Sequence, residues 1–467
     1  MRTLLSDMSC WRNKNGEKMK AFNDLNILNA KLCDKNGIRS ADIGIKDGII
    51  TQVAENGAKL EDARHSADLS GRLVTPAMID THTHIRGGGF AYREDFRSGS
   101  TAAASGGVGT FFEMPGGKTP VVDKASFEKR RAEMLRDSIT DFRMYAGAGF
   151  DNLDRLPELA ECGAVGFKTF MNPPLKGREC EFVGLCAPDE QALEKIMAAV
   201  KQTGLSLTIH CEDYDIITRE TARLKAEGAD GAGAYFSSHP DISEIKAVET
   251  AIRCAEKTGC KVNVAHVSTA KAARLITAAR QRGVDICGET TLHYLFYCDE
   301  DMACQGGYAR MKPPFRSRED RDELLDIVAH SDFFYLGSDH APFTAEEKAP
   351  HGSVWASADG LPGIEMSLRL LFELVKMGRL TIEKSAELSS YNACKRFGIM
   401  DKGLIKEGFK ADLAVLDMNC QPYVMDEKNM LTKAAHNGVI YGNTKLHSRV
   451  EALYAGGEKV WEYSNTK

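Results

Sequence analysis

Two histidines stand two residues apart in Asp80-Thr-His-Thr-His-Ile-Arg86, directly after the apolar run Leu73-Val-Thr-Pro-Ala-Met-Ile79. Side chains two apart on a strand point to the same side, so His82 and His84 can share one metal ion. A lone pair of this kind also arises by chance on surface strands and loops. Four further residues change its weight: Lys168 in Gly166-Phe-Lys-Thr-Phe170, His210 in Thr208-Ile-His-Cys-Glu212, His266 in Val264-Ala-His-Val-Ser268 and Asp339 in Gly337-Ser-Asp-His-Ala341. Each ends an apolar, strand-like run, where an unpaired lysine or aspartate is costly and demands a partner. Imidazole and carboxylate ligate metals as they stand, whereas an ammonium does not. A lysine amine that has added CO₂ becomes an anionic carbamate able to bridge two cations, and burial beside a metal depresses the amine pKa enough for that chemistry. Two divalent ions held this way acidify a bridging water to hydroxide near neutral pH. Asp339 is then the group to take its proton and pass it to a leaving nitrogen. Such an apparatus hydrolyses amides.

A scaffold must bring these strand ends together. Strand-like runs are counted at 74–85, 109–115, 141–149, 164–171, 205–212, 261–268, 284–291 and 333–341. Between them lie stretches with apolar residues at three and four spacing, such as Asp189–Lys201, Ile242–Lys257, Ala270–Arg282 and Arg318–His330, which predict helices. Eight strands alternating with helices is the count of an α/β (β/α)₈ TIM-type barrel, whose catalytic groups sit at the C-terminal ends of the strands. A doubly wound open sheet is the alternative, and the ionisable residues at the strand ends favour the barrel. Short alternating runs before residue 73 and after 405 predict a small β-sandwich domain formed by both chain ends. Residues 21–73 and 405–467 would be its two parts, 74–404 the barrel, and 1–20 a disordered leader or a misassigned start.

With 467 residues, 43% of them apolar and 27% charged, the chain has the composition of a soluble globular protein. A net charge of −6 and a pI near 6.1 give no electrostatic case for nucleic acid or an anionic membrane as partner. The thirteen cysteines are scattered, odd in number and free of C-x-x-C spacing, as expected of reduced thiols in a cytoplasm.

Asp80-x-His-x-His taken with Lys168, His210, His266 and Asp339 resembles the amidohydrolase superfamily, and specifically its cyclic amidohydrolases: dihydroorotases, allantoinases and hydantoinases or dihydropyrimidinases. The resemblance runs from about residue 24 to 460 and includes Thr101-Ala-Ala-Ala-Ser-Gly-Gly-Val-Gly-Thr110, Pro313-Pro-Phe-Arg316, Gly363-Ile-Glu365 and Lys402-Gly-Leu-Ile-Lys-Glu-Gly-Phe-Lys-Ala-Asp-Leu-Ala414. It implies that His82, His84 and Asp339 hold one metal and His210 and His266 the other, with carboxylated Lys168 bridging. It also implies Zn²⁺ as the usual metal, a small cyclic amide as substrate and a homo-oligomer, dimer or tetramer.

Within the group the signals divide. Arg86 looks like the dihydroorotase arginine that grips a substrate carboxylate, and Ser338–Lys348 and Lys312–Asp320 lean the same way. Gly116 and Lys312, however, stand where dihydroorotase asparagines are expected. Asp151–Leu159, Gly163–Lys168 and Phe112-Glu-Met-Pro115 look like allantoinase, which does not usually carry an arginine at position 86. The tyrosine that hydantoinases place five residues after the bridging lysine is Pro173 here. Arg86 and Lys312 together predict an anionic substrate, unless Arg86 pairs with Glu94 or Asp95 and Lys312 points to solvent. His293 would contact substrate, or pack in the core. His340 would orient a ligand from behind, and Cys211 lacks a base at catalytic spacing. His65, His239, His330, His351, His436 and His447 are assigned mostly to the surface. Asp213–Pro240 and Pro342–Pro362 are candidate lids, and Gly87-Gly-Gly89 predicts a pliable first loop. Hydantoinase or dihydropyrimidinase chemistry is the alternative, as is a catalytically silent, dihydropyrimidinase-like oligomeric scaffold; six intact ligand positions argue for an enzyme.

Overall fold

The computed structural model describes residues 22–174, 178–348 and 353–464; the expected leader and His351 lie outside them. Among the described residues sixteen strands form two sheets of eight. The first is built from both chain ends: β1 (Asn23–Asp34), β2 (Gly37–Lys46), β3 (Ile49–Glu55), β4 (Ala63–Asp68) and β5 (Leu73–Pro76), joined later by β14 (Leu413–Asp417), β15 (Arg449–Ala455) and β16 (Glu458–Glu462). Hydrogen bonding is continuous through β16-β15-β14-β5-β1-β2-β3, with β4 branching from β1. The expected domain from both chain ends is present, its strands hydrogen-bonded in one continuous order. Its apolar side chains, among them Ile27, Leu32, Ile43, Val74, Leu413 and Val415, form their own core.

The second sheet is parallel throughout: β6 (Met78–Thr83), β7 (Val108–Glu113), β8 (Asp141–Gly147), β9 (Gly166–Phe170), β10 (Ser206–His210), β11 (Lys261–Val264), β12 (Ile286–Thr290) and β13 (Phe334–Leu336). All eight counted runs contribute a strand, in sequence order round the barrel. Beyond the ends of β6 and β13 the circle is drawn together by the Ser338 amide donating to Asp80 Oδ1 at 2.8 Å and the His84 amide donating to the His340 carbonyl at 2.7 Å. One expectation is corrected here: the run 74–85 is two strands. Pro76 offers no N–H to continue a ladder, and at this point the chain passes from the first sheet, where Ala77 N–H still donates to Asp412 O, into the barrel, where Met78 N–H donates to Gly107 O.

The helices follow from their ends as much as from their faces. Asp189, Thr269 and Ser317 cap the helices Glu190–Thr203, Ala270–Gln281 and Arg318–Ala329 by accepting backbone N–H groups three residues on, which satisfies donors the helix itself cannot. Gly204 and Gly259 close two helices in the left-handed conformation, as their lack of Cβ permits. At the N-terminal end the barrel floor is aromatic: Phe112, Tyr145 and Tyr335 are buried against Phe397, with ring centroids 5.1, 6.1 and 5.7 Å away. The polar groups therefore collect at the other end. There the connection Asp213–Pro240 folds into the helices Tyr214–Ala226 and Ala232–Ser238. It is tied to the connection after β13, with Trp355 Nε1 donating to Ala229 O at 3.0 Å and Val354 N–H to Asp230 Oδ1 at 2.8 Å. No helix among the described residues is long and apolar enough to cross a membrane.

Candidate active site

At the C-terminal end of the barrel one pocket is lined by His82, His84, Lys168, His210, His266 and Asp339. On β6 and the residue that follows it the alternation of side chains turns Asp80, His82 and His84 inward. Asp80 Oδ1 accepts the His82 amide as well as that of Ser338, which locks the strand end. His82 Nδ1 lies 2.5 Å from Glu289 Oε1, and the other carboxylate oxygen accepts the Thr81 hydroxyl at 2.6 Å. A carboxylate accepts only, so Nδ1 carries the proton and Nε2 faces the pocket. That nitrogen is 3.5 Å from Asp339 Oδ1, and His84 Nε2 is 3.3 Å from the same oxygen. Ligand atoms of these three residues all lie within 4.8 Å of one another. Burial pushes the His84 imidazole down to about 3, against the pull of Asp339, so the ring is neutral at pH 7. Burial raises the Asp339 carboxyl, but His82, His84 and His266 outweigh it and hold the acid far below the carboxylate range.

The second half of the pocket is arranged in mirror fashion. His210 Nδ1 and His266 Nε2 are 2.9 Å apart, and Glu212 Oε2 takes the proton of His210 Nε2 at 2.9 Å. Lys168 is fully buried, and its Nζ has no hydrogen-bond partner among the described residues. Burial pulls its ammonium from 10.5 to about 8, although Glu289 and Asp339 oppose this. His266 and Asp339 take positive φ angles of 37° and 48°, a conformation that costs a non-glycine residue about 1–3 kcal/mol and clusters at functional sites.

Arg86 is also in the left-handed region, at φ 67°. Its turn is clamped by Glu113, which accepts the amides of Ile85 and Arg86 at 3.0 and 2.6 Å and the Thr83 hydroxyl at 3.0 Å. The Arg86 guanidinium enters the pocket over the Phe343 ring and bonds the carbonyls of His84 and Pro342. It makes no ion pair among the described residues, so the pairing with Glu94 or Asp95 that would have disposed of its charge does not occur. Burial and the neighbouring Arg93 and Arg178 lower it to about 10, against the opposing pull of Glu113 and Glu181. Lys312 lines the pocket rather than facing solvent, but Asp359 Oδ2 stands 3.2 Å from its Nζ.

Of the two readings of His293 the packed one fits: it is buried against Tyr294, with ring centroids 4.7 Å apart, and does not line the pocket, because the chain turns into the helix Leu292–Phe296 directly after β12. His239 is not at the surface: it is 2% exposed, bonded to Ser238 Oγ through Nδ1, and its charge would be felt by Glu212. His340 is fully buried, 3.8 Å from Glu94, and meets the ligand strand through its backbone carbonyl. Cys211 is buried, and burial pushes its thiol above the range of a useful nucleophile. Sequence reasoning assigned no role to Glu289, Glu212, Glu113 or Asp359. The first two do carry a signal, since Glu212 ends the same apolar run as His210 and Glu289 is an acid inside an apolar run of its own.

The profile of the Amidohydrolase family matches residues 73–444, and that of the urease alpha-subunit N-terminal domain matches residues 6–67. The chain is 34% identical over 455 residues to an allantoinase of Rubrobacter xylanophilus, covering 95% of each chain. It is 33% identical over 398 residues to an allantoinase of Desulfitobacterium hafniense, covering 85% of this chain and 86% of the relative. Among solved structures, the L-hydantoinase (dihydropyrimidinase) of Arthrobacter aurescens superposes with a TM-score of 0.89 at 28% identity, over 94% of this chain and 96% of the other. On the family profile, these relatives and the barrel just described, the chain belongs to the amidohydrolase family, within its cyclic amidohydrolase group.

Proposed function

We propose that this enzyme is a metal-dependent hydrolase that opens a cyclic amide or ureide ring, of dihydroorotase or allantoinase type, and that the ring carries an acidic group facing Arg86. One observation carries the reading: His82, His84 and Asp339, two further imidazoles and a buried lysine without a hydrogen-bond partner among the described residues converge in a single pocket beside a guanidinium that makes no ion pair among those residues. The allantoinase relatives support a ureide ring, and the free guanidinium supports an acidic substituent.

The residues fit a pair of divalent cations. His82 and His84 with Asp339 form one donor set, and His210 with His266 the other; Zn²⁺ suits this imidazole-rich ligation. Lys168, near 8, holds a fraction of free amine at neutral pH, the form that adds CO₂, and its carbamate would supply the anion shared by both sets. When bound, the cations polarise the amide carbonyl and acidify water. Asp339 accepts the proton of the attacking water at a carboxylate oxygen and delivers it to the ring nitrogen as the C–N bond breaks. Arg86 fixes the ring's orientation through its planar fork. The same reading places the enzyme in the cytoplasm as a homo-oligomer, dimer or tetramer. The free thiols of its twelve described cysteines support the location.

The likeness to the L-hydantoinase favours hydantoinase or dihydropyrimidinase chemistry as a second reading. The deciding experiment is kcat/KM of the zinc-loaded protein on dihydroorotate, allantoin, dihydrouracil and substituted hydantoins. Dihydroorotate or allantoin should lead; dihydrouracil or a hydantoin leading by tenfold or more would favour the second reading. Metal analysis separates both from a silent scaffold, which would not retain two ions per chain.

A further inference from the structure

Asp359 lies at the pocket wall on the connection after β13, with its side chain 16% exposed. Its Oδ1 accepts the Tyr235 hydroxyl at 2.7 Å and Arg310 Nε at 2.5 Å; its Oδ2 faces Lys312 Nζ at 3.2 Å and Arg310 Nη2 at 3.4 Å. Tyr235 arrives from the connection after β10, and Arg310 and Lys312 from the one after β12. One carboxylate therefore joins three of the connections that frame the pocket and stands as counter-charge to two cations. Arg310 is spoken for elsewhere too, by the Val354 carbonyl at 2.7 Å and the Tyr235 ring at 4.7 Å, and it does not line the pocket. Lys312 does line it, and its compact ammonium on a flexible stem is free to turn once its anion is removed. The other ion pair of the wall, Arg178 with Glu181, closes on itself through two bonds of 2.9 and 2.8 Å. Apart from Lys168, the one pocket cation without a carboxylate partner among the described residues is Arg86.

We propose that Asp359 is a specificity-determining residue: by pinning Lys312 to the wall and taking up its charge, it leaves Arg86 as the one unpaired cation that the described residues offer to the substrate and so limits the negative charge the pocket selects. The inference rests on the reading of Arg86 as a substrate contact. Nothing in the chemistry of ring opening requires Asp359, which touches neither the donor sets nor Arg86. Its effect is on choice, through a charge that is matched or unmatched in a partly desolvated site.

Dihydroorotate and dihydrouracil share one six-membered ring with and without a carboxylate, so the ratio of their kcat/KM values on the metal-loaded protein reports this choice. In D359N the amide oxygen still accepts from Tyr235 and Arg310, but Lys312 is released; the preference for dihydroorotate should rise by about tenfold. Adding K312M to D359N should return the ratio to within about threefold of the parent, since the released charge has gone. K312M alone, on an otherwise untouched fold, should also leave the ratio within about threefold, because the pinned lysine does not read the ring. An unchanged ratio in D359N, a rise that persists in the double variant, or a collapse of the preference in K312M alone would each overturn the proposal. R86M tests the underlying reading separately: if it keeps the full preference for dihydroorotate, Arg86 is not the contact, whatever D359N does.

Discussion

Glu289 offers the sharpest test of how the pocket is built. Its carboxylate is fully buried, holds the proton of His82 Nδ1 at 2.5 Å and accepts the Thr81 hydroxyl at 2.6 Å. Removing it in Glu289→Ala deletes a hydrogen bond to a charged acceptor, worth about 1.5–3 kcal/mol, and frees the imidazole to rotate or to present the wrong nitrogen to the cation. At about 1.4 kcal/mol per factor of ten, that loss corresponds to roughly 10–100-fold weaker metal binding, the range typical when the partner behind a ligating histidine is lost. Glu289→Gln should do less. Its amide oxygen can still accept from His82 while its NH₂ donates to Thr81, whose hydroxyl turns to the Leu336 carbonyl at 3.3 Å. Only the charge is lost, and a fall of about tenfold or less is expected. Competition for Zn²⁺ with a chromophoric chelator reads both variants, and thermal unfolding of the metal-free proteins checks that the barrel is intact. If both bind Zn²⁺ within about twofold of the parent, Glu289 does not orient His82, and the assignment of Nε2 as the pocket-facing nitrogen loses its support.

Lys168→Ala should drop the metal content below two ions per chain and abolish nearly all turnover, because no other anion is placed to be shared by both donor sets; two ions retained with full activity would end the carbamate model. Arg86→Met should lower kcat/KM on an acidic ring by about 10²-fold, the scale of a lost desolvated charge contact, with little change on the uncharged ring, and an unchanged value would refute it. Burial pulls the Lys348 ammonium from 10.5 down to about 7, where it donates to the carbonyls of Arg310 and Ala358. The unfolded chain then binds more protons than the native one between those two values, so this group makes stability rise with pH across that window. Lys348→Met should flatten that rise in the urea midpoint between pH 7 and about 10, and a rise of unaltered slope would show that the buried amine is not its source.

What could be read along the chain and what could not divide by physical range. The barrel was legible because each of its strands is a local apolar run and several are followed by helices with their own caps, and a count of such runs survives errors of several residues at either end. His82, His84, Lys168, His210, His266 and Asp339 stood out because each interrupts such a run with a group that cannot be buried alone. The run 74–85 was misjudged since nothing local says which of two sheets a strand joins; that is settled by Asp412 and Gly107, which bond the two sides of the junction from distant places in the chain. His239 was misplaced for a related reason, because a histidine following a short polar stretch looks solvated until Arg316 and Glu212 are brought against it. The charges show the limit most clearly. Glu289 is 207 positions from the histidine it orients, and Asp359 reaches Tyr235 from 124 positions away and Arg310 from 49. Alternation and helical spacing carry no information about such partners. Whether Arg86 or Lys312 is the ion-paired cation is therefore a question only the folded chain answers, and it answers by pairing Lys312 with Asp359 while Arg86 makes no ion pair among the described residues. Residue types at strand ends can thus announce that a pocket performs hydrolysis, while the identity of the ring it accepts is written in pairings made across the barrel mouth.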